Sequence, residues 1–150
     1  MTTNTGLDGI RALAGQELGT GEWLEVTQER INAFADATDD HQWIHVDVER
    51  AKNGPFGAPI AHGFLTLSLL PSLGQGTTRI EGIRMAINYG LNRVRFPAPV
   101  RAGARVRAKA KNLSVVEVEG GAQVVNELTV EIEGEAKPAC VAEQVVRYYV

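Results

Sequence analysis

The apolar run FLTLSLLPSL, from Phe64 to Leu73, places the tightest limit on how this chain can fold. It is apolar on nearly every side, which is typical of a helix enclosed by other protein. It is also far shorter than the roughly 20 residues that a helix needs to span a bilayer. The run therefore predicts a buried core helix and no membrane insertion, and Pro71 should bend or end that helix.

The sequence after Gly82 changes to a period of two, which is the pattern of half-buried strands. Arginine, lysine and glycine occupy the odd positions from Arg101 to Lys111, and alanine and valine occupy the even ones. The run from Ala122 to Glu133 alternates between an aliphatic face and a mainly acidic one. We predict that these runs pair as a hairpin through Gly120 and Gly121, with basic side chains opposite acidic ones. Further strands are predicted over residues 83–96 and 141–150.

An amphipathic helix and a long loop precede the apolar run. The helix is predicted over residues 27–38, and its first residue, Thr27, is of a type that caps helices. Its inward positions follow helical spacing and are Ile31, Phe34, Ala35 and Thr38. Residues 39–62 have no sustained period, which indicates an irregular loop with a helical turn over residues 48–52. Loops of this length are often functional.

These elements predict an α+β fold in which an antiparallel sheet of four or five strands wraps around one apolar helix. The chain shows no internal repeat and no linker-like segment, so we expect a single domain over residues 1–150. A helix this apolar needs cover on every side, and a sheet of that size cannot supply it alone. We therefore predict a homodimer.

Charge and cysteine content exclude several classes of partner. The formal net charge of −3 and the acidic pI near 5.6 give no general attraction to nucleic acid. A single cysteine, Cys140, cannot form an internal disulfide, which suits a reducing compartment. The N-terminus lacks the charged start and continuous apolar core of a signal peptide. We expect a cytoplasmic protein.

Titratable residues are densest in the segment DDHQWIHVD, which begins at Asp39. A carboxylate at Asp40 and an imidazole at His45 can converge on one water molecule, so that Asp40 orients the water while His45 takes its proton. Imidazole titrates near neutral pH and is readily tuned by its surroundings. The alternative is that Asp40 is solvated and His45 is a packed core residue.

The longer segment FADATDDHQWIHVD resembles the hydratase motif of MaoC-like dehydratases and R-specific enoyl-CoA hydratases, whose usual form is Gly-Asp-x-Asn-Pro-Leu/Ile-His. Asp40 and His45 match the catalytic aspartate and histidine of that motif. Three positions differ, because Asp39 replaces the glycine, Gln42 the asparagine and Trp43 the proline. The form Asp-His-Gln-Trp-Ile-His also resembles the nodulation protein N branch of the family.

A second segment, APIAHGFLT, is similar to the family's Pro-Ile-Val-His-Gly-Met-Leu stretch at the start of the central helix. The resemblance gives Gly63 a role in substrate binding, since an unpaired N–H at a helix N-terminus can donate to a thioester oxygen. The alternative is that Gly63 only eases a tight turn and that His62 caps the helix.

The resemblance implies a homodimeric hot-dog fold that hydrates trans-2-enoyl-CoA to (3R)-3-hydroxyacyl-CoA, a step of fatty acid and lipid metabolism. In that reaction Asp40 and His45 activate water, and the charge that develops on the thioester oxygen is stabilised at Gly63. Coenzyme A is part of the substrate, so no separate cofactor and no metal are expected. The polar residues Asn88, Tyr89 and Asn92 either line the pocket or face solvent.

Three other functions stay open. A metal hydrolase is one, because His41 and His45 are four residues apart with Asp40, Asp47 and His62 nearby, although Gln42 stands where a zincin has its glutamate. A thioesterase on the same fold and a non-catalytic acyl-CoA binding protein are the others. Hydrolysis by a nucleophilic Cys140 is disfavoured, since the residue lies in an apolar strand.

Overall fold

The computed structural model describes residues 3–150 of the chain. Its helices are α1 (Gly6–Arg11), α2 (Gln28–Thr38), α3 (Trp43–Val46), α4 (Val48–Lys52), α5 (Gly63–Ser68) and α6 (Leu70–Leu73), and Gly74–Gly76 form a 3₁₀ turn. Its strands are β1 (Thr3–Thr5), β2 (Glu17–Thr20), β3 (Leu24–Glu25), β4 (Arg79–Glu81), β5 (Met85–Arg95), β6 (Arg105–Val118), β7 (Gly121–Ile132) and β8 (Cys140–Tyr149).

The main sheet has six strands in the order β2-β6-β7-β8-β5, and β3 also pairs with β6. All of its pairings are antiparallel, whereas β1 and β4 form a separate parallel pair. The inner face of the sheet packs against α5 and α6 in one core, which includes Leu65, Leu69, Val106 and Val130. The predicted α+β architecture, an antiparallel sheet around a central helix, is confirmed, although the sheet has six strands instead of the predicted four or five.

The hairpin of β6 and β7 has the predicted face-to-face charge pairing. The Arg107 guanidinium donates to Glu131 at 2.7 Å, and Arg105 lies 3.1 Å from Glu133. The predicted turn was one residue late. Gly120 adopts φ +79° in the turn, but Gly121 already lies in β7, where a Cβ atom would come within 1.8 Å of the Tyr148 carbonyl oxygen.

The first strand of the hairpin, β6, begins later in the sequence than predicted. The sequence alternation begins at Arg101, but β6 begins at Arg105. A turn intervenes because Gly103 adopts φ +91°, and only an isolated bridge joins Arg101 to Ile60. The alternation in the sequence therefore extends across a turn at Gly103, which is why the predicted start of the strand was too early.

The central helix is divided at the predicted place. α5 ends at Ser68 and α6 begins at Leu70. Pro71 thus lies in the first turn of α6, where a backbone N–H would have no intrahelical acceptor, so proline costs no hydrogen bond. One chain does not cover the helix on every side, as predicted from the size of the sheet. Phe64 is 69% exposed, and Ser68 and Pro71 are exposed on the same open side. Among the helices of residues 3–150, none is long and apolar enough to span a membrane.

The segment that leads to the titratable cluster folds largely as predicted. Thr27 caps α2 by accepting a hydrogen bond from the backbone N–H of Arg30 at 3.1 Å. Ile31 and Ala35 bury the inner face of that helix. The predicted helical turn over 48–52 is present as α4, whereas α3 was not predicted. This difference matters because α3 carries His45.

Candidate active site

The end of α2 sets the position of Asp40. Asp39 follows the last residue of α2 in the left-handed conformation, with φ +58°, and the N–H of Asp40 donates to the Ala35 carbonyl at 3.1 Å. Left-handed backbone favours glycine, and aspartate is among the few other residues that adopt it at modest cost. The replacement of the family's glycine by Asp39 thus keeps the required backbone turn.

The start of α3 explains a second departure from the motif. Trp43 is the first residue of α3, a position at which proline is favoured because the N–H there has no intrahelical acceptor. Any residue able to begin a helix can replace proline at such a position. The Trp43 ring lies 4.2 Å from the Arg50 guanidinium, which fixes the ring against α4.

His45 is buried, with 7% of its surface exposed, and its tautomer follows from its hydrogen bonds. Its Nδ1 lies 2.6 Å from the Ile60 carbonyl oxygen, so Nδ1 carries the proton and donates it to that bond. Nε2 is then left with a free lone pair. The Gln28 amide donates to the His45 carbonyl at 2.9 Å, so α2 also holds the backbone of this residue.

Burial is the main cause that lowers the pKa of His45 below its ordinary value of 6.5, and the neighbouring His62 lowers it further. The bond to Ile60 and the carboxylate of Asp40 act in the opposite direction without reversing the shift. His45 is therefore a neutral imidazole at pH 7. A neutral imidazole with Nε2 unprotonated is the form that can accept a proton from water.

His62 packs against both residues of the predicted pair. Its ring stacks on His45 with centroids 3.8 Å apart, and its Nε2–H donates to the backbone carbonyl of Asp40 at 3.0 Å. The Asp40 carboxylate lies 4.0 Å from the same nitrogen. Phe34 covers the ring at a centroid distance of 4.9 Å. His62 is the N-cap residue of α5, as the alternative predicted, but its side chain makes no capping hydrogen bond to that helix.

The structure thus brings Asp40 and His45 together and adds His62 to them. Nitrogen and oxygen atoms of the three side chains all lie within 4.8 Å of one another. Both imidazoles are buried, whereas the Asp40 side chain is 52% exposed. Asp40 therefore forms the side of the cluster that a substrate or water reaches first.

The cluster is poorly shaped for a metal ion. The two imidazole planes are inclined by only 23° and stacked, so the lone pairs lie in two separate, nearly parallel planes and cannot both point at one ion at about 2.1 Å. The His41 and His45 pair considered from the sequence does not form. His41 is exposed and bonds instead to Asp36 at 2.9 Å.

Gly63 is the first residue of α5 and directly follows His62. Among residues 3–150, its backbone N–H has no hydrogen-bond acceptor, which leaves it free for a ligand. A cavity of about 270 Å³ adjoins it and is lined also by Phe56, Thr66 and Phe96. A Cβ atom at Gly63 would lie 3.2 Å from the Phe96 ring, so any side chain here would press on that ring.

The polar residues of β5 do not act as one group. Asn88 lines a second cavity, together with Gln144. Tyr89 is 58% exposed and lies 3.9 Å from the Arg147 guanidinium, and Asn92 is exposed. All three residues are exposed, as the solvent-facing alternative predicts, and Asn88 also lines a cavity.

Comparison with known proteins gives three relevant matches. The 3-hydroxyacyl-thioester dehydratase Z of Mycobacterium tuberculosis (strain ATCC 25618 / H37Rv) is 54% identical over 149 residues, which cover 99% of each chain. Nodulation protein N of Rhizobium leguminosarum bv. viciae is 52% identical over 132 residues, covering 85% of this chain and 81% of that protein. The solved structure of an (R)-hydratase from A. caviae, involved in PHA biosynthesis, superposes with a TM-score of 0.69 at 26% identity, and the match covers 89% of this chain and 94% of that chain.

These matches confirm the resemblance and the hot-dog fold that the sequence motifs predicted, including the nodulation protein N branch. The family model described as MaoC like domain matches residues 10–135. That range includes Asp40, His45 and Gly63. The family model and the 54% identical relative each cover most of this chain. This chain therefore belongs to the MaoC-like dehydratase family.

Proposed function

We propose that this chain is an (R)-specific enoyl-CoA hydratase that adds water to trans-2-enoyl-CoA and gives (3R)-3-hydroxyacyl-CoA. The observation that carries the proposal is the state of His45, which gives its Nδ1–H to Ile60 and keeps Nε2 unprotonated beside Asp40. The broader class, a hydratase or dehydratase of acyl thioesters, follows from the similarity to the dehydratase and the (R)-hydratase described above. Hydration and dehydration are the two directions of one equilibrium.

In the proposed reaction, water lies between Asp40 and His45. Nε2 of His45 takes a proton from the water while the water oxygen attacks the β-carbon of the enoyl group. The Asp40 carboxylate accepts a hydrogen bond from the water and favours the imidazolium that forms. The electron pair of the double bond moves toward the thioester carbonyl. The resulting enolate then takes up at its α-carbon the proton that His45 removed from the water, which returns His45 to its neutral form. The net change is addition of H and OH.

Gly63 supplies the oxyanion contact in this scheme. Its N–H lies at the start of α5 and is free among the described residues, so it can donate to the thioester oxygen as negative charge develops there. The charged intermediate needs this contact more than the neutral substrate does. A contact of that kind lowers the barrier instead of only strengthening binding.

A homodimer is part of the proposal. β5 is an edge strand of the main sheet, and its large apolar side chains are exposed together with Phe64 and Phe96. Exposed apolar surface beside an unpaired strand edge is the kind of surface that a second copy covers. Coenzyme A enters only as part of the substrate, and the buried lone thiol of Cys140 suits the cytoplasm.

Hydration of crotonyl-CoA and of a longer trans-2-enoyl-CoA, followed by the loss of enoyl-thioester absorbance, tests the proposal. We expect wild type to hydrate both, and Asp40→Asn and His45→Gln to lose at least ~100-fold in kcat while remaining folded. His41→Gln is the matched control, because it makes the same change at an exposed histidine outside the cluster. Chiral analysis of the product tests the R configuration.

Two outcomes would overturn the proposal in different ways. Binding of acyl-CoA of every length without turnover would make the chain a binding protein and His45 a structural residue. Release of free coenzyme A with the double bond intact would make it a thioesterase.

A further inference from the structure

A second cavity, of about 290 Å³, lies between the inner face of the sheet and α6. Aliphatic side chains of the core, such as Leu18, Leu70 and Leu128, form much of its wall. The amides of Asn126 and Gln144 also line it. Amide side chains are unusual on the inner face of this sheet, and these lie opposite one another on neighbouring strands.

The amides form a polar row across three strands. Asn112 on β6 is directly opposite Asn126 on β7, and Asn126 is directly opposite Gln144 on β8. The rows on either side of it are aliphatic. One consists of Ala110, Leu128 and Ala142, and the other of Val115, Val124 and Val146. The polar row is therefore an interruption in an apolar face and not the edge of a polar surface.

The hydrogen bonds of Asn112 satisfy only some of the donors and acceptors in the polar row. Its amide donates to Asn126 Oδ1 at 2.9 Å, and its own oxygen accepts from the N–H of Gly15 at 3.1 Å. This bond occupies the Asn126 oxygen and leaves its amide N–H groups free. Within residues 3–150, the half-buried Asn126 Nδ2 and Gln144 have no hydrogen-bond partner, and both residues line the cavity. Asn88 lines it from the exposed side. The cavity thus presents unpaired amides, including at least one free donor.

The lining also limits the charge of a ligand. No arginine, lysine, aspartate or glutamate is among the lining residues of the described chain. A carboxylate or phosphate there would lose its hydration without gaining an opposite charge. A neutral oxygen, as in a hydroxyl, ketone or ether, matches the amides instead.

The cavity lies further along the central helices than Gly63. Leu70 lines it and stands seven positions after Gly63 along the central helices, which is about 10 Å at a rise of about 1.5 Å per residue. The end of a medium-length acyl chain reaches that far, whereas a four-carbon chain does not.

We propose that this cavity selects acyl thioesters that carry a neutral oxygen group far from the thioester, over those with a plain alkyl chain. The inference rests on the proposed hydratase function and names its substrate class. An alkyl end displaces water from Asn126 and Gln144 and replaces none of the water's hydrogen bonds. An oxygen at the same place replaces them, and sites built in this way discriminate strongly against analogues that lack the polar group.

The test compares kcat/KM for trans-2-decenoyl-CoA with kcat/KM for the same compound bearing a hydroxyl or keto group near its chain end. We expect wild type to favour the oxygenated substrates at least about tenfold. Gln144→Leu should abolish that preference. Gln123→Leu is the matched control, since Gln123 lies on the neighbouring strand and pairs with Arg147 outside the cavity.

The outcomes separate this inference from the proposed function. Normal crotonyl-CoA hydration with no preference between the longer substrates would overturn the inference alone and make the row a water-filled structural feature. The same conclusion follows if Gln144→Leu and Gln123→Leu, both folded, keep the wild-type preference. Failure of wild type to hydrate crotonyl-CoA would overturn the proposed function and the inference with it.

Discussion

The imidazole rings of His45 and His62 stack with their centroids 3.8 Å apart. Two cationic rings at that distance repel each other, so His62 disfavours the charged form of His45. His62 also donates to the carbonyl of Asp40. One buried side chain therefore positions the backbone that carries the carboxylate and sets the electrostatic surroundings of the base.

Two replacements of His62 separate these effects. His62→Gln provides an amide donor in place of Nε2, whereas His62→Phe keeps a flat ring on His45 and loses the donor to Asp40. We expect His62→Phe to lower the hydratase kcat by about tenfold to a hundredfold with little change in KM, and His62→Gln to retain more activity. Kinetics on folded variants check this. Full kcat in His62→Phe would show that the bond to Asp40 has no catalytic role.

The acid limb of the pH profile should report His45. Because its pKa lies below the ordinary 6.5, the neutral base persists at pH 6.5, and kcat/KM should fall only at lower pH. His62→Gln removes the neighbouring imidazole, so its acid limb should move to higher pH while burial continues to depress the pKa. An unshifted limb in His62→Gln would show that the second ring does not act on the base.

The same depressed pKa makes folding stability depend on pH. The unfolded chain protonates His45 at its ordinary pKa near 6.5, and the folded chain protonates it only at lower pH. The unfolded state thus binds more protons between the two values, and the free energy of unfolding should decrease as pH falls through this window. Urea unfolding at neutral and mildly acid pH should show a smaller decrease for His45→Gln than for wild type.

Asp39 offers a test of backbone conformation separate from packing, because its side chain is exposed and its φ is +58°. Asp39→Gly, which restores the family's residue, should preserve stability and activity. Asp39→Ala should cost about 1 kcal/mol, since alanine tolerates the left-handed region less well. Urea unfolding of both variants measures the difference. Equal stability would show that the turn after α2 can relax.

Features that depend on neighbours in sequence were predicted well. The Thr27 cap and the alternation of β6 and β7 are local signals, and the structure reproduces them to within a few residues. Asp40 and His45 were found by their motif, and they do lie together.

Features that depend on distant contacts were missed. Ile10 on α1 is fully buried against Ala122 and Val124, and nothing in its own segment predicts that helix. The role of His62 rests on its bond to Asp40, 22 residues earlier in the chain. The only local signal for it was its place beside Gly63 in the second matched segment.

Cys140 should be chemically inert in the folded protein. Burial raises the pKa of its thiol to about 11, so the reactive thiolate is scarce at neutral pH. We expect a disulfide reagent that detects free thiols to label native protein slowly and to label protein in guanidinium at once. Fast labelling of native protein, together with loss of hydratase activity, would reopen a role for this thiol.

Phe64 tests the homodimer, since it is the most exposed of the large apolar side chains in residues 3–150, at 69%. It lies on the open side of α5, and burying a phenylalanine there contributes about 1.5–3 kcal/mol. Phe64→Asp would place a charge in that contact, so we expect sedimentation to show a monomer or a concentration-dependent mixture where wild type is dimeric. Val116→Asp is the matched control, because Val116 is 56% exposed on β6, away from α5 and the β5 edge. A wild-type monomer, or a dimer that Phe64→Asp leaves intact, would show that this side of the helix is not the subunit contact.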